Sequence, residues 1–171
     1  MTAPAPTPGS RPDARPATGY AGDLTPQQAW DLLAGDPEAV LVDVRTDGEW
    51  RAVGVPDLAG IDKRAVLVEW VKAGGRPNAG FLADLGAAGV GPGRPVVFLC
   101  RSGQRSIGAA RLATSAGIGP AYNVLEGFEG GAGFDGVRDR EGWKVRGLPW
   151  AAYDDGRDDA ARRGTQEEQA R

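Results

Sequence analysis

Short apolar runs alternate with stretches of helical character along this chain, and that alternation restricts the fold more than any other feature. Val40-Leu41-Val42-Asp43-Val44 is one such run, and the segments 66–70, 96–100 and 121–125 are three more. Each is short and largely apolar, which reads as strand. Thr25-Pro26-Gln27-Gln28 offers an N-cap, a proline in the first helical turn and a glutamine at the third position. These predict a helix through Ala29-Trp30-Asp31-Leu32-Leu33 that ends near Gly35. A second helix is expected from about Ala79 to Ala88, capped by Asn78 and stopped by Gly89. A third is expected over Arg105–Ala113, with Ile107, Leu112 and Ala113 roughly on one face. Strands of this kind separated by helices define an α/β fold: a parallel sheet of about four to five strands flanked by helices on both faces. Such sheets bind ligands beyond the carboxyl ends of their strands.

The single cysteine, Cys100, falls at such an end. The strand Pro95-Val96-Val97-Phe98-Leu99 leads into it, and Arg101-Ser102-Gly103-Gln104-Arg105-Ser106 follows. The five residues after the thiol do not continue a core. Successive N–H groups of a loop between strand and helix form an anion-binding concavity, and the helix end adds positive potential. Arg101 and Arg105 flank the same place, and Ser102 and Ser106 each bring a hydroxyl, although Ser106 would equally serve as a helix cap. A cysteine placed there is expected to be a nucleophile held as a thiolate. The chain has no histidine, so activation must come from amides, the helix end and the arginines, with no base to take the proton. Ser-His-Asp and Cys-His triads are excluded. No cofactor is expected, and for a metal only carboxylates would accompany the one thiol.

The 171 residues suit one domain, and a net charge of −3 with dispersed arginines points to neither nucleic acid nor an anionic membrane as partner. No apolar stretch approaches the ~20 residues of a membrane span. The N-terminus lacks the basic end and apolar segment of a signal peptide, so a cytoplasmic protein is expected. Residues 1–19, rich in Pro, Ala and Thr, are expected to be disordered, 20–150 to form the domain, and 151–171 to be a polar, disordered tail.

Cys100-Arg101-Ser102-Gly103-Gln104-Arg105 resembles the active loop of the rhodanese (sulfurtransferase) family, Cys-x-x-Gly-x-Arg/Lys, at every fixed position. Asp43-Val44-Arg45 with Glu49-Trp50, Tyr122 to Phe128, and Gly142-Trp143 with Gly147-Leu148-Pro149-Trp150 resemble other segments of that family, over about residues 24 to 150. Val53-Gly54-Val55-Pro56-Asp57-Leu58 stands where most members carry Gly-His-Ile-Pro-Gly-Ala. The resemblance implies a double displacement. Cys100 takes a sulfane sulfur from thiosulfate or a similar donor, and cyanide or an external thiol acceptor removes it. It assigns Arg101, Ser102, Gly103, Gln104, Arg105 and Ser106 to substrate binding, and two cationic loop residues go with thiosulfate rather than mercaptopyruvate. Related phosphatases and arsenate reductases have Cys-x5-Arg, one residue longer than the spacing here. The alternative is a non-catalytic module of the same fold that regulates or binds.

Around the loop, Asp43 and Arg45 end a strand on the same edge. Asp43 either accepts hydrogen bonds from loop N–H groups or makes an ion pair or turn cap. Large aromatics such as Trp50, Trp70, Trp143 and Trp150 are more often core than pocket, and Trp70, which ends a strand on the expected active-site edge, is the pocket candidate among them. Glu126 and Phe128 are candidate pocket residues in the loop after the last strand. Gly127, Gly130, Gly131 and Gly133 lack the pattern of a phosphate loop.

Overall fold

The computed structural model describes residues 11–155. The chain runs β1 (Gly22–Leu24), α1 (Pro26–Gly35), β2 (Val40–Asp43), α2 (Asp47–Val53), β3 (Val55–Pro56), β4 (Val66–Leu67), β5 (Val71–Lys72), β6 (Arg76–Pro77), α3 (Phe81–Ala87), β7 (Pro92–Leu99), α4 (Arg105–Ser115), β8 (Gly119–Val124) and β9 (Trp150–Ala151). Five strands form one sheet in the order β1-β8-β7-β2-β4, with every pairing parallel. β7, whose end carries Cys100, is the central strand. The expected α/β architecture is the observed one.

Period-two alternation sorts the strand residues between two cores. Val96, Phe98 and Cys100 of the β7 segment face one side, with Val42 and Val44, Phe81 and Leu85 of α3, and Ala109, Ala110 and Ala113 of α4. Val97 and Leu99 face the other, with Leu41, Tyr122 and Val124, and with Ala29, Leu32 and Leu33 of α1. The thiol therefore belongs to the α4 side. Close approach of α4 to the sheet comes from its alanines, which with Ser106 are its buried residues; of the residues grouped on one face in the sequence, Ala113 is buried and Ile107 and Leu112 are partly buried.

The expected capping box forms, and so does a second one. Thr25 accepts from the Gln28 N–H at the start of α1, and Thr46 does the same for Glu49 at α2. Other boundaries shift. The run 66–70 keeps only Val66–Leu67 as strand, and Trp70 lies beyond it. α3 begins at Phe81, with Asn78 Oδ1 accepting the Gly80 N–H before the helix instead of capping it.

The ends of the domain extend further than composition suggested. Within the stretch expected to be disordered, residues 1–10 lie outside the described residues, but Arg15 pairs with Asp23 through both backbone bonds. In the expected tail, residues 156–171 lie outside the described residues. Before them β9 pairs antiparallel with β3, Asp155 bonds Arg51 at 2.8 Å, and Tyr153 packs on Trp50.

Candidate active site

Cys100 follows β7 directly and is 1% exposed. Its Sγ accepts the Gly103 N–H at 3.2 Å, which closes a tight loop back on the sulfur. Gly103 has φ +90°, and a Cβ there would stand 2.0 Å from the Leu125 carbonyl oxygen. Only glycine fits. The loop is also tied from outside. The Phe128 N–H donates to the Cys100 carbonyl at 2.8 Å, and those of Glu129 and Gly130 donate to the Arg101 carbonyl at 2.9 and 3.1 Å. Because a peptide N–H points opposite to its C=O, these bonds turn the N–H groups of Arg101 and Ser102 away from the 126–130 loop. Gly127, at φ +65°, permits the contact, since a Cβ would lie 2.6 Å from the Cys100 and Arg101 carbonyl oxygens.

Ser106, in the first turn of α4, places its Oγ 3.1 Å from Cys100 Sγ and 2.5 Å from Asn123 Oδ1. The Asn123 amide donates to Asp23 at 2.9 Å and to the Gly103 carbonyl at 3.3 Å. Asp23 also accepts from the Tyr20 hydroxyl at 2.8 Å. Asp23, Ser106 and Asn123 are all buried. Of the two readings of Ser106, the hydroxyl beside the sulfur is the one that forms. Asn123 and Asp23 escaped notice in the sequence. The signal was a polar residue inside the apolar run Ala121 to Val124, on the same face of the sheet as Cys100. Asp23 was hidden in a three-residue strand.

Both flanking arginines are engaged. Arg105 forks onto Glu49 at 2.7 and 2.9 Å, joining α4 to α2. Burial alone would raise the Glu49 carboxyl, but the hydrogen bonds from Arg105 and the Thr46 N–H, with the guanidinium charge, hold it down at about 2. Arg101, half-exposed, meets Glu129 at 3.2 Å. Ser102 is partly buried and Gln104 exposed on the loop.

Asp43 and Arg45 form a fully buried pair. Asp43 accepts from the Arg45 guanidinium at 2.7 to 3.2 Å and from the Arg45 N–H at 3.1 Å, so its bonds go to Arg45 and not to the 101–106 loop. Arg45 also donates to the Gly54 carbonyl at 2.8 Å, and its guanidinium carbon lies over the Phe128 ring, 4.0 Å from the centroid. The ring face offsets the burial of Arg45 Nη1, which has no hydrogen-bond partner among the described residues. Phe128 is thus core, completely buried. Glu126 turns outward to Arg146 at 2.8 and 2.9 Å and to the Gly142 N–H at 2.7 Å, and these bonds lower its carboxyl. Trp70 stacks edge-on against Phe81 and would touch a Cβ at Gly108 of α4. It borders the α4 side of the site as a partly buried core residue.

A cysteine cradled between the central strand and the next helix, on a five-stranded parallel sheet, defines the class as rhodanese-like. The chain belongs to that family, and residues 22–156 match the family described as the STR4 middle domain. The crystal structure of Rv0390 from M. tuberculosis is similar at a TM-score of 0.72 and 55% sequence identity, over 78% of this chain and 99% of that one. An uncharacterized protein of Rickettsia conorii is 36% identical over 124 residues, 72% of this chain and 91% of that protein. The Oryza sativa subsp. indica protein named THYLAKOID RHODANESE-LIKE, chloroplastic, is 33% identical over 132 residues, which are 77% of this chain and 25% of that protein.

Proposed function

We propose that the protein is a thiosulfate-type sulfurtransferase that carries a sulfane sulfur on Cys100. The carrying observation is the sulfur's position at the end of the central strand, bonded by the Gly103 N–H and next to the Ser106 hydroxyl. The Cys100 thiolate attacks the outer sulfur of thiosulfate. An S–S bond forms to Cys100, the S–S bond of thiosulfate breaks, and sulfite leaves with the electron pair. Cyanide or a thiolate then attacks the outer sulfur of the persulfide, and the Cys100 thiolate departs. Neither displacement needs a base, which fits a chain without histidine. Residues 101–106 bind the donor. The loop amides, with Ser102, Gly103 and Gln104, support its oxyanion end. Arg101, whose side chain is the more exposed of the two arginines, supplies the guanidinium at the mouth. Arg105, committed to Glu49, acts on the donor through its charge and by holding the loop against α2. The acceptor is external, because there is no second cysteine to resolve the persulfide. A free thiol carrier suits a reducing compartment such as the cytoplasm. No helix among the described residues is long and apolar enough to cross a membrane.

A second reading, a binding or regulatory module of the same fold, draws support from the ion pairing of both arginines and the burial of the sulfur. Intact mass separates the two. Thiosulfate should add one sulfur to the protein, cyanide should remove it as thiocyanate, and Cys100→Ser should do neither. A protein that gains no sulfur from thiosulfate, mercaptopyruvate or polysulfide is the module.

A further inference from the structure

Ser106 has one hydroxyl proton and two claimants for it. Asn123 Oδ1 is 2.5 Å away and Cys100 Sγ 3.1 Å, and a hydroxyl donates a single bond. The orientation of Asn123 decides the outcome. Its Nδ2 donates to Asp23 at 2.9 Å and to the Gly103 carbonyl, which can only accept, at 3.3 Å, so Oδ1 is left pointing at Ser106. Asp23 is held in turn by the Tyr20 hydroxyl at 2.8 Å and by Arg15 at 3.4 Å. Burial, and then the bond to Asp23, push Tyr20 up to about 12, so it remains a donor through the ordinary pH range.

We propose that Asn123, oriented by Asp23 and the Gly103 carbonyl, is a positioning residue that holds the Ser106 proton away from Cys100 in the resting thiol and releases it when the thiolate forms. In the thiol, S–H donates to Ser106 Oγ and Ser106 donates to Asn123. Each bond in such a chain strengthens the next. When the sulfur ionises, its own donor is gone. The hydroxyl turns to the sulfur, and Asn123 Oδ1 loses its partner. In the persulfide the negative charge sits on the outer sulfur, and the Ser106 proton returns to Asn123. The chain Tyr20–Asp23–Asn123–Ser106 thus opposes ionisation of the same sulfur that the Gly103 N–H favours. The other charged groups near this loop are the pairs Arg105–Glu49, Arg101–Glu129 and Arg45–Asp43, and Arg111 lies over Tyr20. None of them is bonded to Sγ among the described residues.

The inference rests on Cys100 being the reacting group, and its test needs no sulfur donor. The rate of iodoacetamide alkylation, which reports on the only cysteine, is followed across roughly pH 5 to 10, the span of ordinary and shifted thiols. Asn123→Ala should make alkylation on the acid limb about threefold to tenfold faster, the worth of one hydrogen bond. In a Ser106→Ala background the same substitution should add nothing, because the effect travels through the hydroxyl. Asn123→Leu, which keeps the approximate volume of the side chain and has no acceptor, is the second variant should Asn123→Ala not fold. Equal effects in both backgrounds, or no acceleration, overturn the proposal. Failure to load sulfur while the alkylation profile shifts as expected would instead count against the transferase reading.

Discussion

Glu49 of α2 and Arg105 of α4 meet prong to prong at 2.7 and 2.9 Å, although 56 residues separate them in the chain. Glu49 Oε2 also takes the Thr46 N–H at 2.9 Å, so one carboxylate both starts a helix and anchors the far side of the cysteine loop. This contact makes stability depend on pH. The Glu49 carboxyl titrates at about 2 in the folded protein and near its ordinary 4.5 once unfolded. A lowered acid contributes stability above the unfolded value and loses it as pH falls through the folded one. The urea midpoint should therefore fall between pH about 4.5 and about 2, and Glu49→Gln should remove that part of the slope. Parallel acid profiles for the two proteins would show that the carboxylate is not responsible.

The two loop arginines should separate in kinetics and stability. Arg105→Ala strips Glu49 of its partner, so the urea midpoint should drop and the loop loosen. It should also weaken thiosulfate binding more than it slows cyanide attack, since cyanide carries less charge. Arg101→Ala breaks only a half-exposed pair, worth about 1 kcal/mol or less. It should raise the thiosulfate KM with little change in urea midpoint. A stability loss for Arg101→Ala as large as that for Arg105→Ala would reverse the assignment.

Gly103→Ala is expected to be severe for a change of one methyl group. The positive φ alone costs about 1 kcal/mol or more in a side-chain-bearing residue, and the Leu125 carbonyl must also move. The loop, not the sheet, should give way. Alkylation of Cys100 should change and sulfur loading should be lost, while far-ultraviolet circular dichroism stays nearly constant. Wild-type loading kinetics in this variant would show that the tight turn is dispensable.

Asp43→Ala leaves the Arg45 guanidinium buried with only the Gly54 carbonyl and the Phe128 ring for company. Removing one partner of a buried pair costs about 3–5 kcal/mol. Replacing both, as Asp43→Leu with Arg45→Met, should be less damaging than Asp43→Ala alone. Denaturant unfolding of the three proteins gives the comparison, and a double variant less stable than the single one would contradict it.

Turnover should require an added acceptor. Loaded Cys100 has no neighbouring thiol, so thiosulfate alone should yield one equivalent of sulfite and then stop. Continued sulfite release without cyanide or a thiol would rule out the external-acceptor scheme.

What could be read from the sequence was whatever leaves a local trace. Thr25 with Gln28 and the apolar strand before Cys100 both announce their elements through side chains a few residues apart. α2 is equally announced by Thr46 and Glu49, but only its Glu49-Trp50 pair enters the sequence reading, as part of a motif. Elements made by distant partners left no trace. Val55-Pro56 becomes a strand because Trp150-Ala151 lies beside it, and Gly22–Leu24 because β8 does. The same division runs through the site. Cys100, Gly103 and Ser106 are neighbours in sequence and were found together. Asp43 was placed at the right edge, but its choice of Arg45 over the loop depends on the Phe128 ring and the Gly54 carbonyl, which only the fold brings there. Phe128 and Glu126 were drawn toward the pocket by nearness in sequence, whereas one fills the core and the other pins the Gly142–Arg146 segment.

The bonds from Phe128, Glu129 and Gly130 to the carbonyls of Cys100 and Arg101 mean that the six-residue motif is half of a machine whose other half is encoded some twenty-five residues later. Transplanting Cys100–Arg105 into another strand–loop–helix would carry the thiol and leave behind the clamp that shapes it. A graft meant to reproduce this chemistry must bring two separate segments and the β7–β8 spacing that sets them face to face. By the same token, a protein that shows the motif without a glycine at the position of Gly127 is a poor candidate for the same chemistry.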